Sequence, residues 1–300
     1  MSSFWSWYIT IIALANIFGC WWLIRWTAKP RPGEAAEHET TGHVWDDNLM
    51  EYNKPMPRWW LWLFYITIVF GLIYLALFPG LGRYPGLLGW SQEGAWAKEV
   101  AAVEERVGPL FAAYAARDIA ELANDSEAMQ TGRRLFGNNC AVCHGADGGG
   151  ATGFPALNDG HWVWGGSPEA IKHSILQGRV GVMPARGGLP PEMFSESEVA
   201  DVAAYVRKLA GQSGVDGEMA RRGQEKYGTI CFACHGADGT GNAEQGWPDL
   251  TTNKWIYGGS QEAIEETIRN GRHSEMPAHK ELLGEDRVHV LAAYVYSLSR

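Results

Sequence analysis

The sequence predicts an all-α protein in which two N-terminal transmembrane helices precede two tandem copies of one small helical module. Three observations carry this. Residues 4–24 and 59–79 contain no charged side chain, and each run is long enough to cross a bilayer, for which about 20 residues suffice. A short motif, Cys-x-x-Cys-His, occurs twice, at residues 140–144 and 231–235. The residues flanking the two copies match in order, which marks one module copied once, too few copies for a solenoid.

Residues 1–26 form the first membrane helix. Trp5, Trp7, Trp21, Trp22 and Trp26 gather toward its ends, as aromatic belts do at the two bilayer surfaces. A cleaved signal peptide is the rival reading. No basic segment precedes the apolar run, however, and the run continues past the small residues Ala13 and Ala15. An anchor is expected. Residues 27–57 form a polar loop, and Arg25, Lys29, Arg31, Lys54 and Arg58 at the membrane ends place it in the cytoplasm. Residues 58–80 form the second helix, opened by Trp59, Trp60 and Trp62. The N-terminus and everything beyond residue 80 then lie in the periplasm, outside a bacterial inner membrane. Neither apolar run holds an Asp, Glu, Lys, Arg or His, so the helices anchor and dock and offer no proton relay.

Residues 81–124 begin with the turn-formers Pro85-Gly86 and continue as an alanine-rich stretch. Val100, Val103, Val107, Leu110, Phe111 and Tyr114 recur at helical spacing, with an interruption expected at Gly108-Pro109. Two readings stand side by side: a spacer helix on the protein's own surface, or a strap that docks on a partner subunit. The modules follow at 125–212 and 213–300. Gly132 and Phe136 precede the first motif as Gly223 and Tyr227 precede the second. Ala204-Tyr205-Val206 closes the first module as Ala293-Tyr294-Val295 closes the second, both on helical spacing. Leu157, Trp162 and Gly165-Gly166 between them match Leu250, Trp255 and Gly258-Gly259.

Cys-x-x-Cys-His is the attachment pattern of a c-type haem. Two thiols one helical turn apart add across the vinyl groups, and the histidine coordinates iron from the proximal side. A zinc site is the rival, but zinc ribbons bring their cysteine pairs within roughly 15–20 residues and need no histidine after each. Here the pairs are 91 residues apart and each carries its own. Two covalently bound haem c groups are therefore expected, one on Cys140, Cys143 and His144, the other on Cys231, Cys234 and His235. The second axial ligand should lie downstream. Gly178-Arg179 leads to Met183-Pro184-Ala185, and Gly271-Arg272 leads to Met276-Pro277-Ala278. Methionine opposite histidine is the ligand pair of electron-transfer cytochromes. Ordinary gap-filling methionines are the alternative, and Met129, Met193 and Met219, which have no twins, fit that description. The spacings of 39 residues from His144 to Met183 and 41 from His235 to Met276 make ligation within each module the simple geometry, without excluding exchange between modules.

Trp162 and Trp255 are candidates to hold a buried haem propionate through their indole N–H, against plain core packing. Arg179 and Arg272 are candidates for bidentate pairing with propionates, against a solvated surface. His38, His43, His161, His173, His273, His279 and His289 lack twins and are expected to be surface or packed residues. From residue 81 onward, 20 basic side chains face 28 acidic ones, within a net charge of −9 for the whole chain. That balance excludes nucleic acid and suits a cationic partner, or simply solubility. Cys20, the fifth cysteine, sits in the first apolar run as a small apolar residue.

The modules resemble class I cytochromes c, in which the first and last helices cross, a glycine on one receiving an aromatic ring from the other. The loop Gly42-His43-Val44-Trp45-Asp46 narrows the resemblance, as do Asn53-Lys54-Pro55-Met56-Pro57-Arg58-Trp59-Trp60, Tyr84-Pro85-Gly86 and Gly89-Trp90-Ser91. Together with the rest of the chain these resemble the di-haem subunit family (CcoP, also called FixP) of cbb(3)-type cytochrome c oxidases. The resemblance implies a role. Electrons from a soluble or membrane-bound donor cytochrome c pass to a mono-haem cytochrome subunit. They continue to the haem–copper catalytic subunit, which reduces oxygen and pumps protons. Many members have a single membrane helix, and this chain departs by carrying an additional N-terminal one. A di-haem peroxidase or a haem-based sensor would need an iron with an open position, and the two Met-Pro motifs argue against one. A di-haem partner of another membrane redox complex differs only in the complex it joins.

Overall fold

The computed structural model describes residues 1–300. The chain divides into two units, Met1–Arg106 and Val107–Arg300.

The first unit holds α1 (Ser3–Thr27) and α2 (Arg58–Leu77), neither of which buries a single residue. Long helices that turn Trp, Phe and Ile outward all round are built for lipid, and mean hydropathy reaches 1.7 and 2.1 along them. They form an antiparallel hairpin. Beyond α2, the backbone N–H of Arg83 donates to Ser6 Oγ at 2.9 Å, and its Nε donates to Met1 O at 3.0 Å. The chain therefore leaves α2 at the end where α1 starts. The connecting loop, expected to be merely polar, contains a hairpin of β1 (Thr40–Trp45) and β2 (Leu49–Tyr52). Its turn puts Asp46 and Asp47 at φ 44° and 65°, a left-handed conformation that aspartate tolerates better than most residues.

α3 (Gln92–Ala115) runs unbroken through Pro109, where the sequence predicts an interruption. Proline removes one backbone hydrogen bond there. The final turns are held instead by burial of Phe111 and Tyr114, which join Ile119 and Leu122 of α4 (Ile119–Leu122) in the core of the second unit. Residues 107–124 thus contribute Phe111, Tyr114, Ile119 and Leu122 to that core.

The second unit continues with α5 (Ser126–Asn139), α6 (Ala141–His144), α7 (Pro168–Gln177), β3 (Arg179–Met183) and α8 (Glu196–Leu209). It is completed by α9 (Gly217–Tyr227), α10 (Phe232–His235), α11 (Gln261–Asn270), β4 (Arg272–Met276), α12 (Lys280–Leu283) and α13 (Glu285–Leu298). Asp125, Ser167, Ser195, Asp216 and Ser260 cap the N-termini of α5, α7, α8, α9 and α11, each accepting a backbone N–H that the helix leaves unpaired. Two apolar cores result. They do not follow the sequence modules.

The sequence boundary at 212/213 predicts that α5 crosses α8 and that α9 crosses α13. The structure pairs α5 with α13 and α8 with α9. Phe136 lies against Tyr294 with ring centroids 5.5 Å apart, and Tyr227 lies against Tyr205 at 5.2 Å. A Cβ on Gly132 would meet Tyr294 Cβ at 2.6 Å, while one on Gly223 would overlap the backbone of Asp201. Two features select this pairing over the one within modules. Only residues 210–216 join α8 to α9, a connection short enough to make them antiparallel neighbours. Asp201, buried on α8, is gripped by Arg222 of α9 through Nε at 2.8 Å and Nη2 at 2.6 Å. Measured from the matched glycines, α5 carries Thr131 where α9 carries Arg222, so an α5–α8 crossing would strand the Asp201 carboxylate.

The protein is mostly helical, with two short ribbons that the all-α expectation omits. The second ribbon joins β3 to β4, one strand from each module, in antiparallel register.

Candidate haem sites

Each Cys-x-x-Cys-His motif winds into a single turn, α6 or α10, directly after the helix that precedes it. The two histidines are held alike. His144 Nδ1 lies 2.9 Å from Pro155 O, and His235 Nδ1 lies 3.1 Å from Pro248 O. A carbonyl only accepts, so Nδ1 carries the proton and donates, and the lone pair remains on Nε2. That tautomer is the one an iron requires, and the carbonyl fixes the direction in which the ring points. Burial depresses the His235 pKa, which keeps the ring neutral and able to ligate. Sequence reasoning misses the two prolines. Their signal is there, however: Pro155-Ala156-Leu157 and Pro248-Asp249-Leu250 place a proline two residues before each matched leucine.

The cysteines do not suit the rival chemistries. Burial pushes the Cys140 and Cys231 thiols up to about 11, whereas a redox dithiol depends on a lowered thiol pKa. No three His, Cys, Asp or Glu side chains converge on a point where a metal ion could sit. A pair of thiols and one histidine with a free Nε2, lining an apolar core, fit a haem c and not a zinc ion.

Methionine placement follows the crossed helices. Met276 packs against the core that contains Cys140, Leu157 and Trp162, beside α5, α7 and α13. Met183 packs against the core that contains Cys231, Leu250 and Trp255, beside α8, α9 and α11. Each module's methionine therefore lies with the other module's Cys-x-x-Cys-His motif. The β3–β4 ribbon makes this possible: Arg179 faces Met276, Gly181 faces Ser274, and Met183 faces Arg272. Gly178 and Gly271, at φ 72° and 70°, end α7 and α11 just before the strands. A Cβ on Gly178 would press on Ala278 N at 2.8 Å, and one on Gly271 on Ala185 N at 2.6 Å. Each glycine thus makes room for the Met-Pro-Ala segment of the opposite module.

The tryptophans divide. Both pack on their cores over a glycine, Trp162 on Gly166 and Trp255 on Gly259. Trp255 donates its Nε1–H to Asn253 Oδ1 at 3.0 Å, so that donor is already engaged. Of the untwinned histidines, His289 is buried, with Nε2 2.8 Å from Arg117 O and Nδ1 3.2 Å from Lys172 Nζ; it is a packed residue.

Comparison with known proteins covers most of the chain. The N-terminal domain of cytochrome oxidase-cbb3, FixP, matches residues 37–85; cytochrome c matches 129–210; and cytochrome c oxidase, cbb3-type, subunit III matches 218–295. The cbb3-type cytochrome c oxidase subunit CcoP of Rubrivivax gelatinosus is 40% identical over 299 residues, covering 100% of this chain and 96% of the relative. The subunit FixP of Bradyrhizobium sp. (strain ORS 278) is 39% identical, covering 86% of this chain and 94% of its own. A subunit CcoP of Rhodobacter capsulatus is 38% identical, with 89% and 98% covered.

Proposed function

The chain belongs to the CcoP/FixP family of cbb3-type cytochrome c oxidase subunits, and we propose that it is the oxidase's di-haem relay between a donor cytochrome c and the other subunits. Its cytochrome c domains carry covalently bound haem c. Two such groups are bound, by Cys140, Cys143 and His144 and by Cys231, Cys234 and His235. Met276 would serve the group held by His144, and Met183 the group held by His235, in an exchanged arrangement. When bound, haem c supplies one-electron exchange between ferrous and ferric iron. The protein's part is to hold each neutral imidazole by a proline carbonyl and to bury a thioether opposite it. A group so held would have no open position for oxygen or peroxide. The packing of each methionine against the opposite motif carries this reading, and it favours a relay over a peroxidase or sensor.

Electrons leave this subunit for the mono-haem cytochrome subunit and then the haem–copper catalytic subunit. α1 and α2 cross the bacterial inner membrane as a two-pass anchor in the lipid bilayer. The cytochrome region lies in the periplasm and residues 27–57 in the cytoplasm. The Arg83–Met1 tie supports a common side for the N-terminus and the segment after α2. The basic residues at the opposite helix ends support the orientation.

The test tags one haem. In a Cys140→Ala background the first haem keeps a single thioether and one free vinyl group, which moves its α-band to longer wavelength. Met276→His should then lower the potential of the tagged haem, on the order of a few hundred millivolts, and leave the other near its place. A fall confined to the untagged band would mean ligation within modules. No fall in either would make the methionines core residues.

A further inference from the structure

Residues directly opposite each other in an antiparallel ribbon project from the same face. On β3, Val180 and Val182 point outward, 55% and 63% exposed, so Arg179, Gly181 and Met183 occupy the inner face. The register then sets Arg179 beside Met276 at one end of that face and Arg272 beside Met183 at the other. Between them lie only Gly181 and Ser274.

The two arginines are fastened in the same way. Arg179 Nε donates to Ser174 Oγ at 2.9 Å, and its guanidinium carbon sits 4.6 Å from the centroid of the Trp164 ring. Arg272 donates to Thr267 Oγ1 from Nε at 3.1 Å and Nη2 at 2.9 Å, 4.4 Å from the Tyr257 ring. Each guanidinium is thus fixed by one hydroxyl from the preceding helix and by one aromatic face. Neither meets a carboxylate, and donors on each fork remain unused. A rigid planar fork of this kind matches one ligand best, a carboxylate taken edge-on through two parallel hydrogen bonds.

We propose that Arg179 and Arg272 each hold a propionate of a bound haem: Arg179 at the group attached to Cys140 and Cys143, Arg272 at the group attached to Cys231 and Cys234. This rests on the exchanged-ligand reading, since Arg179 is assigned by its place beside Met276. The arginines are positioning residues that also set potential. A fixed positive charge beside the porphyrin favours the state with one more electron, so each arginine raises the potential of its own haem. Trp255 is the weaker donor here, because its N–H is engaged by Asn253.

The experiment uses the full-length holoprotein in the Cys140→Ala background, with redox titrations read at the two separated α-bands. Arg179→Gln should lower the potential of the tagged haem and leave the untagged one in place. Arg179→Lys should recover most of the lost potential, since the charge is kept while the fork is lost. Arg272→Gln should do the converse and lower only the untagged haem. The methionine-to-iron charge-transfer band should persist in every variant. A tagged haem whose potential is unmoved in Arg179→Gln while that band persists would overturn the proposal. So would loss of the band in Arg179→Gln alone, which would make the arginine a support of the ribbon. If the band is already missing from the parent protein, the ligand reading fails first, and the arginine assignment falls with it.

Discussion

Glu198 shows how much one side chain holds at the junction of α8 and α9. Its carboxylate accepts from Ser195 N at 2.8 Å, closing a capping box, and from Lys226 Nζ of α9 at 2.8 Å. The Lys226 hydrogen bond, ahead of those from Ser195, holds its pKa down to about 2, against 4.5 for an unperturbed glutamate. A pKa depressed by folding adds stability that is present above about 4.5. That stability is lost as the pH falls from there through about 2. Glu198→Gln should therefore be less stable than the parent at pH 7 and lose less on acidification. Thermal midpoints at pH 7 and pH 3 check this, and equal losses in the two proteins would refute it. The histidines add a second lesson at this scale. Their candidacy as ligands was plain in the sequence, and so was the matched spacing of Pro155 and Pro248, but that these prolines' carbonyls orient the rings became visible only when the chain was folded.

Helices carrying nearly the same sequence signature chose partners across modules, and the Asp201–Arg222 pair explains the choice. Asp201 is buried while the Arg222 side chain is half exposed, so the pair is worth less than the ~3–5 kcal/mol of a fully buried one. A double-mutant cycle with Asp201→Ala and Arg222→Ala should give a non-zero favourable coupling energy. Additive effects would leave the short 210–216 connection as the only selector. Proline illustrates the same competition within one element. Pro109 reads as a helix breaker in isolation, yet α3 continues because the core binds Phe111 and Tyr114 beyond it.

Over the whole molecule, each apolar core takes helices from both modules and packs a methionine beside the other module's motif, so the two cores should unfold as one cooperative structure. Charge acts at the same scale. Residues 81–300 carry 20 basic and 28 acidic side chains, a field that would steer a lysine-rich donor cytochrome c, if one is the partner, toward this region. Donor-to-subunit electron transfer followed by stopped flow should slow markedly between low and high ionic strength. A rate indifferent to salt would rule electrostatic steering out.

Local chemistry was legible without a fold. The candidate attachment cysteines and proximal histidines are adjacent in the chain, so a five-residue pattern singles them out. Membrane helices follow from charge-free runs, because the bilayer imposes its length on sequence directly. The twin Met-Pro-Ala segments marked two candidate ligands in the same way. Which Cys-x-x-Cys-His motif each methionine packs with was not legible, because the modules share one pattern and spacings of 39 and 41 residues suit either arrangement. That choice belonged to tertiary structure. The 210–216 connection, the Asp201–Arg222 clasp and the β3–β4 register decide it together, and each acts between residues that are distant in sequence or matched only in space.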